Sequence, residues 1–211
     1  MYVFGHTFAI LSYMKSLSLN KPHIIVMVGI PGAGKSFFAE HFADTFNAPL
    51  ISFERLRAEL FNQPTHDSSE QAIIRRVSDY MLEELFKTHR TVILDGTASA
   101  RTERQDILRR SRSAGYESLF VWVQTESTTA KGRLTKPVKG KTTVSSDQYA
   151  AALKRFTAPN NYERAVVISG KHTYASQLKI VLKRLVEPKI ELIENQLPPE
   201  RPVESRTIVV R

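Results

Sequence analysis

The sequence predicts an α/β fold in which a parallel sheet is flanked by crossover helices, and three observations carry this prediction. Short apolar runs rich in β-branched residues alternate with helical patterns from residue 24 to about residue 185. A glycine-rich motif stands between the first such run and the first helical pattern, from Gly29 to Ser36. The length of 211 residues suits one domain with short extensions better than two full domains.

Each element is predicted from its periodicity. Five short apolar runs predict strands, at 24–28, 49–52, 91–95, 119–123 and 165–168. Apolar residues at helical spacing predict helices at 36–46, 54 to about 61, 70–88, 101–113, 146–156 and 174–185. The third strand ends in Asp95, which we expect at the sheet edge where ligands bind in open α/β folds.

The glycine-rich motif reads Gly-Ile-Pro-Gly-Ala-Gly-Lys-Ser, the phosphate-binding pattern of P-loop NTPases. Its glycines let backbone N–H groups turn inward around a phosphate, at a helix N-terminus that favours negative charge. Lys35 is predicted to reach the β- and γ-phosphates and Ser36 to offer Mg²⁺ an oxygen. The alternative, a glycine-rich turn followed by a solvent-facing lysine, accounts less well for the match at every fixed position and on both flanks.

Composition limits the classes of function. Lys and Arg outnumber Asp and Glu by 30 to 21, so the net charge of +9 suits a polyanionic partner, although many basic proteins bind only ATP. The absence of cysteine excludes disulfides, thiolate catalysis and cysteine metal sites, and it is compatible with the cytoplasmic location that we expect. No run approaches the roughly twenty apolar residues of a membrane span, and no signal peptide is predicted.

Glu54 and Arg57 follow the second predicted strand, one helical turn apart and on one face. A kinase needs a carboxylate to accept the proton of the acceptor hydroxyl and a cation to balance charge on the transferred group. The two residues meet those needs, but an ordinary surface ion pair explains the spacing equally well.

Four segments together resemble one family, the P-loop kinases similar to the kinase domain of bacteriophage polynucleotide kinase. They are GIPGAGKS, ISFERLRAEL, VILDGTASARTERQDIL and RFTAPNNYE, and the resemblance covers roughly residues 24–185. It implies a P-loop kinase fold with strand order 2-3-1-4-5. It also implies that Glu54, where the family usually has Asp, is the base that deprotonates a hydroxyl acceptor, and Arg57 matches the family arginine.

The segment after the third strand departs from the family. The family commonly reads D-x-T-N, and this chain has Asp95 and Thr97 but Ala98 in place of the asparagine. Asp95 can hold Mg²⁺ through a water or orient the acceptor, and we favour the metal because an apolar strand precedes it. The resemblance implies an acceptor contact by Thr97 and contacts to acceptor phosphates by Arg104, with Arg101 the weaker match. A solvated helix face is the alternative for both arginines. The segment Asn160-Asn161-Tyr162 either shapes a base pocket, as the resemblance implies, or forms a turn.

A basic segment at 131–141 contains two glycines and a proline, as a mobile lid would. Arg133 matches the first lid arginine of the family, and Lys136 lies near the place of the second. The resemblance implies that Arg133 closes over the triphosphate, whereas a flexible loop that only binds RNA is the alternative.

The sequence thus predicts an ATP- and Mg²⁺-dependent kinase, with a polynucleotide 5′-hydroxyl as the expected acceptor. A small-molecule kinase and a non-catalytic nucleotide-dependent adaptor remain alternatives. The expected organisation is an N-terminal extension at 1–20, a kinase domain at 21–186 with its lid at about 126–145, and a proline-rich tail at 187–211. The predicted catalytic residues are Lys35, Glu54, Arg57 and Arg133; the substrate-binding residues are Glu54, Arg57, Thr97 and Arg104; the metal ligands are Ser36 and Asp95; the nucleotide-binding residues are Gly29, Ile30, Pro31, Gly32, Ala33, Gly34, Lys35, Ser36, Phe37 and Arg133.

Overall fold

The centre of the molecule is a five-stranded parallel sheet in the spatial order β2-β3-β1-β4-β5. The computed structural model describes Leu19 and residues 21–135 and 145–186. The predicted parallel sheet and its strand order are confirmed. The strands are β1 (His23–Val28), β2 (Leu50–Ser52), β3 (Val92–Asp95), β4 (Glu117–Gln124) and β5 (Val166–Ser169).

Helices cover both faces of the sheet, because each strand carries apolar side chains on both sides. In the described residues the helices are α1 (Lys35–Phe46), α2 (Phe53–Leu60), α3 (Ser68–Phe86), α4 (Arg101–Ser113), α5 (Ser127–Thr135), α6 (Ser146–Arg155) and α7 (Tyr174–Val186). Apolar residues of α1 and α7 form the core on one face, and those of α2, α3 and α4 form the core on the other. The result is a three-layer α/β/α arrangement.

The central strand β1 is buried along its whole length. Ile25 and Met27 pack toward α1, and Ile24, Val26 and Val28 pack toward the opposite layer. Since all strands are parallel, their carboxyl ends lie at one edge of the sheet. That edge carries Gly29, Asp95 and the residues that follow β4 and β5.

The described part of the predicted lid is a helix and not a loop. Residues Ser127–Thr135 form the helix α5, although a mobile loop was predicted from residue 131. The helix is held by contact with the glycine-rich loop, since its one buried residue is Ala130. Lys136, the rest of the lid and the proline-rich tail lie outside the described residues. No helix in the described segments is long and apolar enough to cross a membrane.

Candidate active site

The loop between β1 and α1 depends on glycine for its conformation and for the close approach of its neighbours. Gly29, Gly32 and Gly34 have φ values of 145°, 76° and 108°, which side-chain-bearing residues rarely adopt. A Cβ atom at Gly29 would lie 2.5 Å from the carbonyl oxygen of Val123, and one at Gly32 would lie 2.3 Å from that of Ala130. The loop is therefore wedged between the end of β4 and helix α5.

Lys35 begins α1, and its side chain turns back across the loop. Its Nζ donates to the carbonyl oxygens of Gly29 and Ile30 at 2.9 and 3.0 Å. An ammonium group has a further proton to offer, so Lys35 can bind an anion held by the loop without giving up these contacts. The next aromatic ring, Phe37, is about half exposed beside the loop and packs at a tilted angle against His41, with a centroid distance of 4.2 Å.

Ser36 and Asp95 form an oxygen pair where α1 meets β3. The Ser36 hydroxyl donates to Asp95 Oδ2 at 2.6 Å, and Asp95 is buried. Mg²⁺ prefers oxygen ligands and is commonly bound by one or two protein groups together with phosphate oxygens. The donor set here fits Mg²⁺. The described residues contain no cluster of three or more His, Cys, Asp or Glu side chains that could hold a metal alone.

Burial and opposite charges act against each other in this site. Burial lowers the pKa of Lys35, while the nearby carboxylates of Asp95 and Glu54 act to raise it. Burial likewise raises the pKa of Asp95, against the hydrogen bond from Ser36 and the charge of Lys35. Ser52, the last residue of β2, is paired with Asp95 in the sheet, so Glu54 lies in the first turn of α2 close to Asp95.

Glu54 and Arg57 form the i,i+3 ion pair that their spacing allows. Arg57 Nη1 donates to Glu54 Oε1 at 2.5 Å, and the Glu54 side chain is 66% exposed whereas that of Arg57 is almost fully buried. The other nitrogens of Arg57 face α3: Nη2 donates to Gln71 at 2.7 Å and Nε lies 3.5 Å from Glu70. Arg57 therefore anchors the exposed carboxylate of Glu54 to the rest of the fold.

The turn after β3 fixes the start of α2. Gly96 has a φ of 118°, and a Cβ atom there would lie 2.3 Å from Cβ of Phe53, the residue before Glu54. Thr97 follows and is half-buried at the same edge. Ala98 is buried and has a φ of 71°, a left-handed conformation that alanine adopts less readily than asparagine or glycine.

Arg133 lies on α5 and contacts the backbone of two loops. Its Nη1 is 3.3 Å from the carbonyl oxygens of both Gly32 and Ala33, and its Nη2 donates to Gly170, after β5, at 3.0 Å. The side chain is exposed. A cation that the sequence predicts in the lid is thus brought to the phosphate loop.

Arg104 lies in the interior, where the structure corrects the expectation that it contacts a substrate. Its side chain is fully buried and pairs with Glu163 at 2.6 Å. Its Nη1 donates to the carbonyl oxygens of Ala98, Ser99 and Thr157. Because every nitrogen of the guanidinium donates to the protein, Arg104 ties the segment after β3 to the segment after α6. The more exposed Arg101 stands one turn earlier on α4.

A cavity of about 470 Å³ opens beside the phosphate loop. Ile30 of the loop, Trp122 of β4 and Phe156 after α6 contribute apolar walls, and Glu126 and Lys171, which pair at 2.9 Å, contribute charge. Trp122 also packs against the hydrophobic core on one face of the sheet. Its side chain is partly buried because the strand end where it lies also faces the cavity.

The chain is similar in sequence to a known protein family and to a characterised kinase. A family model described as an AAA domain matches residues 24–159. The L-seryl-tRNA(Sec) kinase of Methanococcus maripaludis is 20% identical over 196 residues, which are 89% of this chain and 75% of that protein.

Two solved structures share the fold. A sugar kinase from Janibacter sp. HTCC2649 has a TM-score of 0.56 at 19% identity, over 77% of this chain and 93% of its own. A chain of the Pnkp1/Rnl/Hen1 RNA repair complex has a TM-score of 0.57 at 20% identity, over 71% of this chain and only 47% of its own. At these identities the likeness establishes a P-loop kinase fold and leaves the acceptor open.

Proposed function

The chain belongs to the AAA domain family, and we propose that it is a kinase that transfers the γ-phosphoryl group of ATP to a hydroxyl acceptor with the help of Mg²⁺. One observation carries the proposal. The phosphate loop, Lys35, the Ser36 and Asp95 oxygen pair and the start of α2 with the exposed Glu54 all lie at one edge of the sheet.

The donor half of the site is the loop and the first turn of α1. Backbone N–H groups of the loop cradle the phosphates, and Lys35 supplies a positive charge that is partly shielded from water because its side chain is partly buried. Ser36 and Asp95 would hold the metal, which when bound offsets the charge of the phosphate oxygens. Phe37 and Arg133 flank this half of the site, where the rest of the nucleotide binds.

The acceptor half depends on Glu54. The hydroxyl oxygen of the acceptor attacks the γ-phosphorus as the bond from that phosphorus to the β–γ bridging oxygen breaks, and ADP leaves. Glu54 accepts the hydroxyl proton. Arg57 acts by orienting this carboxylate, since its two terminal nitrogens donate to Glu54 and to Gln71 of α3. We also propose that Thr97, which follows the Gly96 turn and is half-buried, contacts the acceptor.

Arg133 provides charge that complements the transferred group. Phosphoryl transfer has a loose transition state with charge spread over the oxygens, and a cation near the loop stabilises it. In this structure the guanidinium is bound to carbonyl groups of the loop and of Gly170. Exchange of those carbonyl contacts for phosphate oxygens would bring the charge to the nucleotide with little movement of α5.

For the acceptor we propose the 5′-hydroxyl of a polynucleotide. The net charge of +9 and the resemblance to polynucleotide kinases support it, and so does the similarity to a kinase named for a tRNA-linked serine. A small-molecule acceptor is the second candidate, favoured by the partly apolar cavity of about 470 Å³ beside Ile30, a volume typical of small-ligand sites.

The test is transfer of label from γ-labelled ATP, with Mg²⁺, to a panel of 5′-hydroxyl oligonucleotides, nucleosides, sugars and polyols. Labelled oligonucleotide, with a KM that rises steeply with salt, supports the polynucleotide assignment. Labelled small alcohols, with a KM indifferent to salt, support the second candidate. Binding of ATP without transfer to any acceptor contradicts the kinase proposal and favours the nucleotide-dependent adaptor.

A further inference from the structure

Tyr162 is the most exposed large hydrophobic residue in the described part of the chain. It lies on the 3-10 turn Asn161–Glu163 between α6 and β5, and it is 93% exposed. Its ring makes no hydrogen bond or ring contact within the described residues. Packing therefore gives no reason for an aromatic residue at this position.

The turn that carries Tyr162 is firmly held. The carboxylate of Glu163 points inward, accepts the N–H of Asn160 at 2.8 Å and pairs with the buried Arg104. In return, Asn160 Oδ1 accepts the N–H of Glu163 at 3.1 Å. A ring presented on such a turn loses little backbone freedom when it binds a partner, which makes an aromatic contact more favourable.

Two exposed arginines lie near this turn. Arg164 follows Glu163 in a left-handed conformation, and Arg101 begins α4 one turn before Arg104. Arg101 is close enough to Glu163 to help to lower the pKa of that carboxyl group. Neither arginine side chain makes a hydrogen bond or an ion pair with any described residue. Both charges are available to an anion from outside.

This surface borders the proposed acceptor site. Arg104 donates to the carbonyl oxygens of Ala98 and Ser99, which follow Asp95 by only a few residues. The N–H of Thr157 also donates to Ser99 at 2.9 Å. The turn with Tyr162 is thus bound to the segment that leads away from the metal ligand.

From this arrangement we propose that Tyr162, Arg101 and Arg164 bind the single strand beyond the nucleotide whose hydroxyl is phosphorylated. The Tyr162 ring stacks on a base, and the two guanidinium groups bind the adjoining phosphodiesters. Stacking accepts any base, so this face confers affinity for a strand without a preference for sequence. The inference rests on the proposed polynucleotide acceptor, and it adds where the rest of that acceptor lies.

The experiment compares a single-stranded 5′-hydroxyl octanucleotide with a 5′-hydroxyl nucleoside 3′-phosphate as acceptors, at saturating ATP and Mg²⁺. Tyr162→Ala should raise the KM for the octamer by about 5- to 150-fold, and the KM for the mononucleotide much less. Tyr162→Phe keeps the ring and should restore the low KM. Arg101→Gln should make the slope of log KM for the octamer against log salt shallower by about 0.7.

Matched controls lie elsewhere on the same layer. Tyr80 of α3 is a second exposed tyrosine, at 68%, and Arg112 is an exposed arginine about 16 Å from Arg101 along α4. Tyr80→Ala and Arg112→Gln should leave both acceptor KM values unchanged. If the wild type phosphorylates the octamer but Tyr162→Ala behaves as Tyr80→Ala does, the strand-binding face is refuted and the kinase proposal stands. If the wild type phosphorylates no oligonucleotide, both the proposed polynucleotide acceptor and the proposed strand-binding face are refuted.

Discussion

The buried pair of Arg104 and Glu163 yields a prediction that can be worked out from its contacts. In Glu163→Gln the amide keeps one oxygen acceptor, but the charge is lost and an NH₂ group faces donors from Arg104 and Asn160. Loss of one partner of a buried pair costs about 3–5 kcal/mol, because the other charge stays buried without compensation. For a domain of this size that corresponds to a fall in Tm of roughly 6–20 °C.

The stabilisation by the Arg104 and Glu163 pair should decrease at acidic pH. Burial alone would raise the pKa of Glu163, but the hydrogen bonds from Arg104 and from the N–H of Asn160 outweigh it, so the pKa is lowered. The folded protein then binds this proton less tightly than the unfolded chain does. The stabilisation is complete above the unfolded-state value of about 4.3 and is lost as the pH falls through the lower folded-state pKa.

The assay is urea unfolding of the wild type and Glu163→Gln from pH 7 to pH 3. Glu84→Gln, which removes an exposed i,i+3 pair with Lys87, is the control and should lower the stability much less, because an exposed ion pair is well screened by water. The free energy of unfolding of the wild type should exceed that of Glu163→Gln by a constant amount from pH 7 to about pH 5. This excess should shrink below about pH 4. A difference no larger than that of Glu84→Gln, or one that does not change with pH, would refute the reasoning.

Three further predictions concern the active site. Lys35→Met should lower the rate of phosphoryl transfer by about 100- to 1,000-fold without lowering the Tm of the nucleotide-free protein, since burial already disfavours this charge. Gly96→Ala should displace Phe53 and reduce both kcat and Tm, whereas the same change at the unobstructed Gly115 should affect Tm alone. Arg133→Gln should lower kcat more than it raises the Kd for ATP, as measured by calorimetry; an equal effect on both would assign Arg133 to ground-state binding.

The sheet was predictable because each of its parallel strands corresponds to a short apolar run in the sequence. Strand β1 is buried on both faces, so its residues are apolar without interruption instead of alternating between apolar and polar. The phosphate loop was predictable for a related reason, since only glycine fits the left-handed conformations and the close carbonyl contacts at Gly29 and Gly32. Residues close together in the sequence determine these features, so sequence patterns alone were sufficient to predict them.

Features that depend on distant contacts were not predictable. Arg104 was expected to face a ligand, and its burial depends on Glu163, which lies 59 residues away in the sequence. Helix α5 lacks an apolar stripe and is held through Ala130 against Gly32, so its periodicity gave no signal. The exposure of Tyr162 is likewise set by the inward turn of its neighbour Glu163. In each case the deciding partner belongs to another element.

The most direct test of the central claim is single-turnover transfer from γ-labelled ATP by the wild type and by Glu54→Gln, with the Kd for ATP measured on both proteins. The claim is that the exposed carboxylate of Glu54 accepts the proton of the acceptor. The account predicts an unchanged Kd and a transfer rate lower by about 100-fold or more in Glu54→Gln. Transfer at the wild-type rate by this variant would contradict it.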